Sequence, residues 1–194
     1  MSINYYNDNA KKFIENTFFV SMGDLIDDFI ALLPKNATVL DLGCGSGRDS
    51  LYFKKNGFDV YAMDGSKEMI EHTKKYIGDR AKLATFDDYT TNIKFDGIWA
   101  LASLLHVPRN DIEMILSKYI NFLKEDGLLF MSFKNREIDY DKDGRKFTCF
   151  TENTLLELIK PIDKIELVKI IHTTDVRKDR PDERWISVII RRKG

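Results

Sequence analysis

The chain has 194 residues, 43% of them hydrophobic, with 30 Lys and Arg against 31 Asp and Glu. That length suits one domain and that apolar share builds a core, which excludes a disordered linker, a collagen and a membrane channel. The near-balanced charge argues against a protein held to nucleic acid by bulk electrostatics, although a local basic patch stays open.

No long apolar run is present, so no membrane span is expected. The opening residues lack the basic-then-apolar pattern of a signal peptide. Cys44 and Cys149 are the two cysteines, and with no export signal they read as reduced thiols in a cytoplasmic protein.

Residues 5–19 mix polar and aromatic side chains and read as helical from about Asn9. Met22, Leu25, Ile26, Phe29, Ile30 and Leu33 then form one apolar stripe at helical spacing, with Ser21 as cap and Pro34 as stop. Strands and helices alternate from there. Residues 38–42 read as a strand, and 48–55 as a helix ended by Asn56 and Gly57. Residues 60–63 form a strand, 67–76 a helix between Ser66 and Gly78, 81–85 a weaker strand and 95–101 a fourth. Ile112, Ile115, Leu116, Tyr119, Ile120 and Leu123 repeat the helical spacing, with Asp126 and Gly127 as the stop, before a fifth strand at 128–133. Residues 134–147 read as a long polar loop, 152–160 as a helix capped by Thr151, and 165–173 and 185–191 as a final antiparallel pair around a charged connection.

This order predicts a single domain over 1–194 of the α/β class. It would be a Rossmann-like, doubly wound, mostly parallel seven-stranded sheet, with an antiparallel last strand and helices on both faces. Residues 1–36 would form an N-terminal helical cap, 37–133 a ligand-binding core, and 134–194 a second-ligand side of loop, helix and hairpin. Ligands lie beyond the carboxyl ends of such strands.

The sharpest motif runs Val39, Leu40, Asp41, Leu42, Gly43, Cys44, Gly45, Ser46, Gly47, Arg48: a strand, a GxGxG turn, then a helix. Glycines let a ligand approach the main chain, and the helix start offers free N–H groups. Asp64 ends the second strand, 21 residues beyond Gly43. A carboxylate there suits both hydroxyls of an adenosine ribose. The third glycine falls one residue early for a dinucleotide fingerprint, and Asp41 disfavours a pyrophosphate but suits an ammonium. An ammonium, a carboxylate and an adenosine together describe S-adenosylmethionine.

At these residues, and from about Asp8 to Arg192, the sequence resembles the class I S-adenosylmethionine-dependent methyltransferases. Within them it looks most like small bacterial tellurite-resistance-type or general methyltransferase-domain proteins. The resemblance implies that Gly43, Gly45 and Gly47 hold the methionine part of the cofactor. Asp41 would orient the turn or receive the amino group through water. Asp64 would bind ribose, with Gly65 and Ser66 beside it. Asp87 would face the adenine amino group, and Phe86 would present a backbone N–H to the ring. Ala100 and Leu101 would touch the methionine part through the main chain. Tyr5 and Tyr6 would close over the site or else simply pack.

Methyl transfer needs positioning and desolvation more than a protein nucleophile. The fourth-strand exit lacks the Asn/Asp-Pro-Pro-aromatic motif of enzymes acting on DNA amino groups, and no Pro-Cys pair of the cytosine-C5 type is present. His106 is the candidate to accept a proton or bind an anionic acceptor, against the alternative that it braces the next helix. Lys134, Arg145, Lys146, Arg177, Lys178, Arg180 and Arg184 are candidates for acceptor contact, against a solvated loop of internal salt links. The three histidines stand far apart, so no metal site is expected. The implied function is methyl transfer to a small-molecule acceptor, releasing S-adenosylhomocysteine. The alternatives are an RNA or protein methyltransferase, or a non-catalytic S-adenosylmethionine-binding module.

Overall fold

The computed structural model describes residues 2–177 and 181–194. A seven-stranded sheet runs in the order β3-β2-β1-β4-β5-β9-β8. Its strands are β1 (Thr38–Leu42), β2 (Asp59–Asp64), β3 (Ala81–Leu83), β4 (Phe95–Ala100), β5 (Leu123–Lys134), β8 (Ile165–Thr174) and β9 (Arg184–Arg192). β1 is an interior strand, parallel to both neighbours. β9 is antiparallel to β5 on one side and to β8 on the other. Strand order reverses between β1 and β4, the switch point where the carboxyl ends of parallel strands leave a crevice.

Successive residues of a strand face opposite sides, and the sheet uses both. Leu40, Leu42, Ile98, Leu129 and Phe133 pack into one core, together with Ile115, Leu116 and Tyr119 of α6 (Ile112–Ile120). Val39, Trp99 and Phe130 pack into the other, against α3 (Gly23–Ile30) and α4 (Arg48–Lys55). There Trp99 stacks on Phe130 with centroids 4.0 Å apart, a pairing that adds about 0.5–1.5 kcal/mol beyond area burial. The Trp99 Nε1–H is not wasted in this core. It donates to Asp49 on α4 at 2.9 Å.

Local punctuation sets the helices. α4 begins at Gly47 (φ 76°), and the chain turns away after it through Gly57 (φ 85°). α5 (Lys67–Ile77) is capped by Ser66, whose hydroxyl accepts from the Met69 N–H at 3.4 Å. α7 (Glu152–Ile159) starts with a capping box between Thr151 and Thr154. No helix among the described residues is long and apolar enough to cross a membrane.

Five sequence expectations need correction. α3 has Met22 rather than Ser21 at its N-cap, with no side-chain cap, and it ends at Ile30, short of Pro34. The chain begins with two helices, α1 (Ser2–Asp8) and α2 (Ala10–Thr17), rather than one from Asn9. β3 stops at Leu83, short of residue 85. α6 ends at Ile120, because Leu123 already pairs with Phe95 as the start of β5. Residues 134–147 are not a structureless loop. They carry a hairpin, β6 (Tyr140–Lys142) and β7 (Arg145–Phe147), turned by Asp143 and Gly144, both at positive φ (52° and 72°). Asp-Gly is the dipeptide that favours such a turn.

Candidate active site

A cavity of about 1350 Å³ opens at the carboxyl ends of β1, β2 and β4 and continues past β5 to the β8–β9 connection. Its first lobe is built by the turn after β1. The glycines all take positive φ: 76° at Gly43, 51° at Gly45 and 76° at Gly47. A side chain at Gly43 would collide with the Cβ of Ser103. The turn is tied down from outside. The N–H groups of Gly43 and Cys44 reach the Met63 carbonyl at 2.9 and 3.0 Å. Ser103 Oγ donates to the Leu42 carbonyl at 2.5 Å, and His72 Nδ1 lies 2.8 Å from the Ser46 carbonyl.

Asp64 closes this lobe. One carboxylate oxygen accepts from the Gly45 N–H at 2.9 Å and the other from the Ser66 N–H at 2.8 Å. Burial raises its pKa, and these backbone donors oppose that rise. Each oxygen has a second lone pair, so a diol remains an acceptable donor. Asp41 lies 3% exposed beneath the turn and accepts from Ser50 Oγ at 2.6 Å. Burial, with Asp49 second, pushes its pKa well above the carboxylate range. Its direct contact is with Ser50 of α4. Burial raises the neighbouring Cys44 thiol as well, leaving it protonated.

With Asp41 protonated, Asp49 and Asp64 still outnumber Arg48, so the lobe suits a ligand with net positive charge. The glycine cradle and Asp64 therefore fit S-adenosylmethionine. When bound, that cofactor supplies an electrophilic methyl group on a sulfonium.

The first helix lies over the lobe. Ile3 packs on Gly65, where a Cβ would stand 2.8 Å from Ile3 Cδ1, and Asn7 Oδ1 accepts from Ser66 Oγ at 2.7 Å. Tyr6 lines the cavity and its hydroxyl meets His106 Nε2 at 2.8 Å. His106 Nδ1 faces the Lys146 carbonyl at 2.7 Å. A carbonyl only accepts, so Nδ1 carries the hydrogen and Nε2 accepts from Tyr6. Burial, first among the causes, lowers the His106 pKa to about 4. The imidazole is neutral at physiological pH, so an anion would not meet a charged histidine there.

Other sequence candidates divide. Gly65, Phe86 and Leu101 line the cavity with the residues above. Asp87, Ala100 and Tyr5 do not. Asp87 is exposed, and Ala100 is buried in the sheet core. The Phe86 carbonyl is held by Tyr119 Oη at 3.1 Å and Lys118 Nζ at 3.0 Å. Lys134 lines the second lobe, but its ammonium pairs with Glu183 at 2.7 Å and sits 4.4 Å from the centroid of the Trp185 ring. Arg136 shares Glu183 at 3.0 Å, and Arg177 pairs with Asp175 at 2.6 Å. The charged connection therefore carries internal salt links. Arg184 is exposed at the cavity wall. Lys178 and Arg180 lie outside the described residues.

Sequence reasoning passed over Ser103, His72 and Ala102. Ala102 holds φ 51° at the end of β4, and its N–H donates to Ser132 Oγ at 2.7 Å. A non-glycine residue in that region is costly and concentrates at functional sites. Nothing in the local sequence announced it.

Residues 13–176 match the family model described as a methyltransferase domain. A ubiquinone biosynthesis O-methyltransferase of Pelagibacter ubique is 32% identical over 109 residues, 54% of this chain and 45% of that protein. The probable S-adenosyl-L-methionine-dependent methyltransferase TehB of Haemophilus influenzae is 26% identical over 181 residues, 88% of this chain and 62% of TehB. The chain thus spans about half to three-fifths of the length of these curated relatives. A Burkholderia thailandensis 1,6-didemethyltoxoflavin-N1-methyltransferase, solved with 1,6-didemethyltoxoflavin and S-adenosylhomocysteine, shares the fold. Its TM-score is 0.78 at 20% identity, covering 100% of this chain and 86% of that one. The chain belongs to the methyltransferase-domain family.

Proposed function

We propose that this chain transfers the methyl group of S-adenosylmethionine to a small acceptor, releasing S-adenosylhomocysteine and a proton. The single observation that carries this is the continuity of the cavity. At about 1350 Å³ it exceeds the roughly 300–1000 Å³ of a single-ligand pocket. Space for a second small molecule therefore lies beside the first lobe. The 1,6-didemethyltoxoflavin bound in the Burkholderia thailandensis enzyme, a small molecule, agrees with that reading.

In this reading Asp64 and Gly65 hold the ribose. Gly43, Gly45 and Leu101 surround the methionine part, and Phe86 flanks the adenine. Ile3 and Tyr6 exclude water from above. The acceptor hydrogen approaches the Tyr6 oxygen. As the acceptor atom is methylated, its proton passes to that oxygen while Tyr6 gives its own to His106 Nε2. His106 thus acts through Tyr6, and its low basicity suits an acceptor that becomes acidic on reaction.

The test is a screen of small acceptors with methyl-labelled donor. Labelled product that depends on intact Asp64 supports the reading. Label passing only to RNA or protein, or to nothing while the cofactor binds, overturns it.

A further inference from the structure

Among the buried side-chain nitrogen and oxygen atoms of the described residues, two have no hydrogen-bond partner: Nε of Arg145 and Oγ of Ser187. Both residues line the cavity. Buried donors without partners are rare, and each asks for an explanation.

Arg145 is the stronger case. It is 8% exposed at the start of β7. Its guanidinium carbon lies 3.8 Å from the Tyr5 ring centroid, 5.3 Å from that of Phe147 and 6.0 Å from that of Tyr6. One of its terminal nitrogens reaches Asp143 at 3.1 Å, a side chain that is 54% exposed, and the guanidinium also meets the Tyr6 hydroxyl, while Nε keeps no partner. A guanidinium stacked on a ring keeps its edge N–H groups for a planar, two-point partner, and Asp143 does not supply one.

The charge of the cavity points the same way. Among lining residues 41–64, Asp41 holds its proton and Asp49 and Asp64 stand against one arginine, Arg48. Those from 134 to 187 carry six basic side chains against three acidic ones. The two lobes therefore differ in charge, the first favouring a cation and the second an anion.

We propose, resting on the methyl-transfer reading above, that the acceptor is a small molecule bearing a carboxylate, and that Arg145 anchors it beside the Tyr6–His106 pair. The carboxylate takes the edge of the guanidinium and displaces Asp143. A purely structural Arg145, pinning α1 through Tyr5, would be indifferent to Asp143.

The experiment uses the full chain saturated with S-adenosylhomocysteine. Benzoate, phenylacetate and 4-hydroxybenzoate are each titrated beside the corresponding amide by NMR. At least one carboxylate should bind tenfold or more tighter than its amide. Arg145→Met should shrink that preference to within twofold, and Asp143→Asn should strengthen carboxylate binding two- to threefold. Equal binding of all three pairs overturns the proposal, as does a preference that survives Arg145→Met. If Arg145→Met does not fold, Asp143→Asn decides, and no gain there overturns the proposal. Failure of the wild-type chain to bind S-adenosylhomocysteine instead overturns the cofactor assignment beneath it.

Discussion

The Tyr6 hydroxyl donates to His106 Nε2 across 2.8 Å, joining the first helix to the turn that follows β4. Two residues 100 positions apart thus share one hydrogen above the glycine-rich turn. The contact fixes the imidazole tautomer, because the other ring nitrogen is spent on the Lys146 carbonyl.

Nitrogen-edited NMR should show His106 neutral, with the hydrogen on Nδ1, down to about pH 5, since its pKa is lowered to about 4. A lowered histidine pKa means that the unfolded chain takes up a proton first as pH falls below about 6.5. Its contribution to stability is therefore complete above that value and is lost on the way down to about pH 4. Tyr6→Phe removes a donor that favours the neutral ring, so the pKa should move up toward 6.5. An unmoved titration would refute the contact.

Asp64→Ala removes the acceptor of the Gly45 and Ser66 N–H groups and, in the proposed reading, of the ribose as well. Charge-assisted hydrogen bonds are worth about 1.5–3 kcal/mol each, so calorimetry should show S-adenosylhomocysteine affinity falling by about a hundredfold or more. Asp64→Asn keeps an acceptor oxygen and should fall less. Near-normal binding by the alanine variant would sink the ribose assignment.

Gly43→Ala should be harsher than its size suggests. The position has φ 76°, and the added methyl would strike Ser103, which also braces the Leu42 carbonyl. Left-handed strain of about 1–2 kcal/mol adds to overpacking of about 1–3 kcal/mol. The melting temperature should drop by several degrees and S-adenosylhomocysteine binding should weaken.

Asp41 holds its proton because it is buried and because Asp49 is close. A sulfonium placed in the same lobe favours the ionised form and lowers that pKa. Binding of S-adenosylmethionine near neutral pH should therefore release more protons than binding of the neutral thioether S-adenosylhomocysteine. Calorimetry in buffers of different ionisation enthalpy measures the difference, and equal release would contradict this electrostatic account. A raised carboxyl pKa also means that the folded chain loses stability as pH climbs above about 4. Asp41→Asn should accordingly flatten the decline in melting temperature between pH 5 and 8.

The parts legible in the sequence were those set by neighbours along the chain. α4 runs over Arg48–Lys55 as read, because Gly47 and Gly57 punctuate both ends. The glycine turn and Asp64 stand out by spacing within one strand–helix–strand unit. Long-range pairing settled what was misread. Leu123 continues a helical stripe in sequence, yet its register with Phe95 makes it strand. α1 buries no residue of its own, so no apolar stripe marks it. The β6–β7 hairpin has three-residue strands too polar to alternate visibly. Arg145, Tyr6 and His106 lie on three separate elements, and only the folded chain assembles them.

The order of strands has a consequence for synthesis. β9 is made last of the seven and lies between β5 and β8, so β8 emerges from the ribosome before its neighbour exists. The wall holding Lys134, Glu183 and Trp185 is completed only when β9 slots in. A nascent chain halted short of β9 would carry its glycine turn and Asp64 in sequence but would leave β5 and β8 each without the strand that joins them.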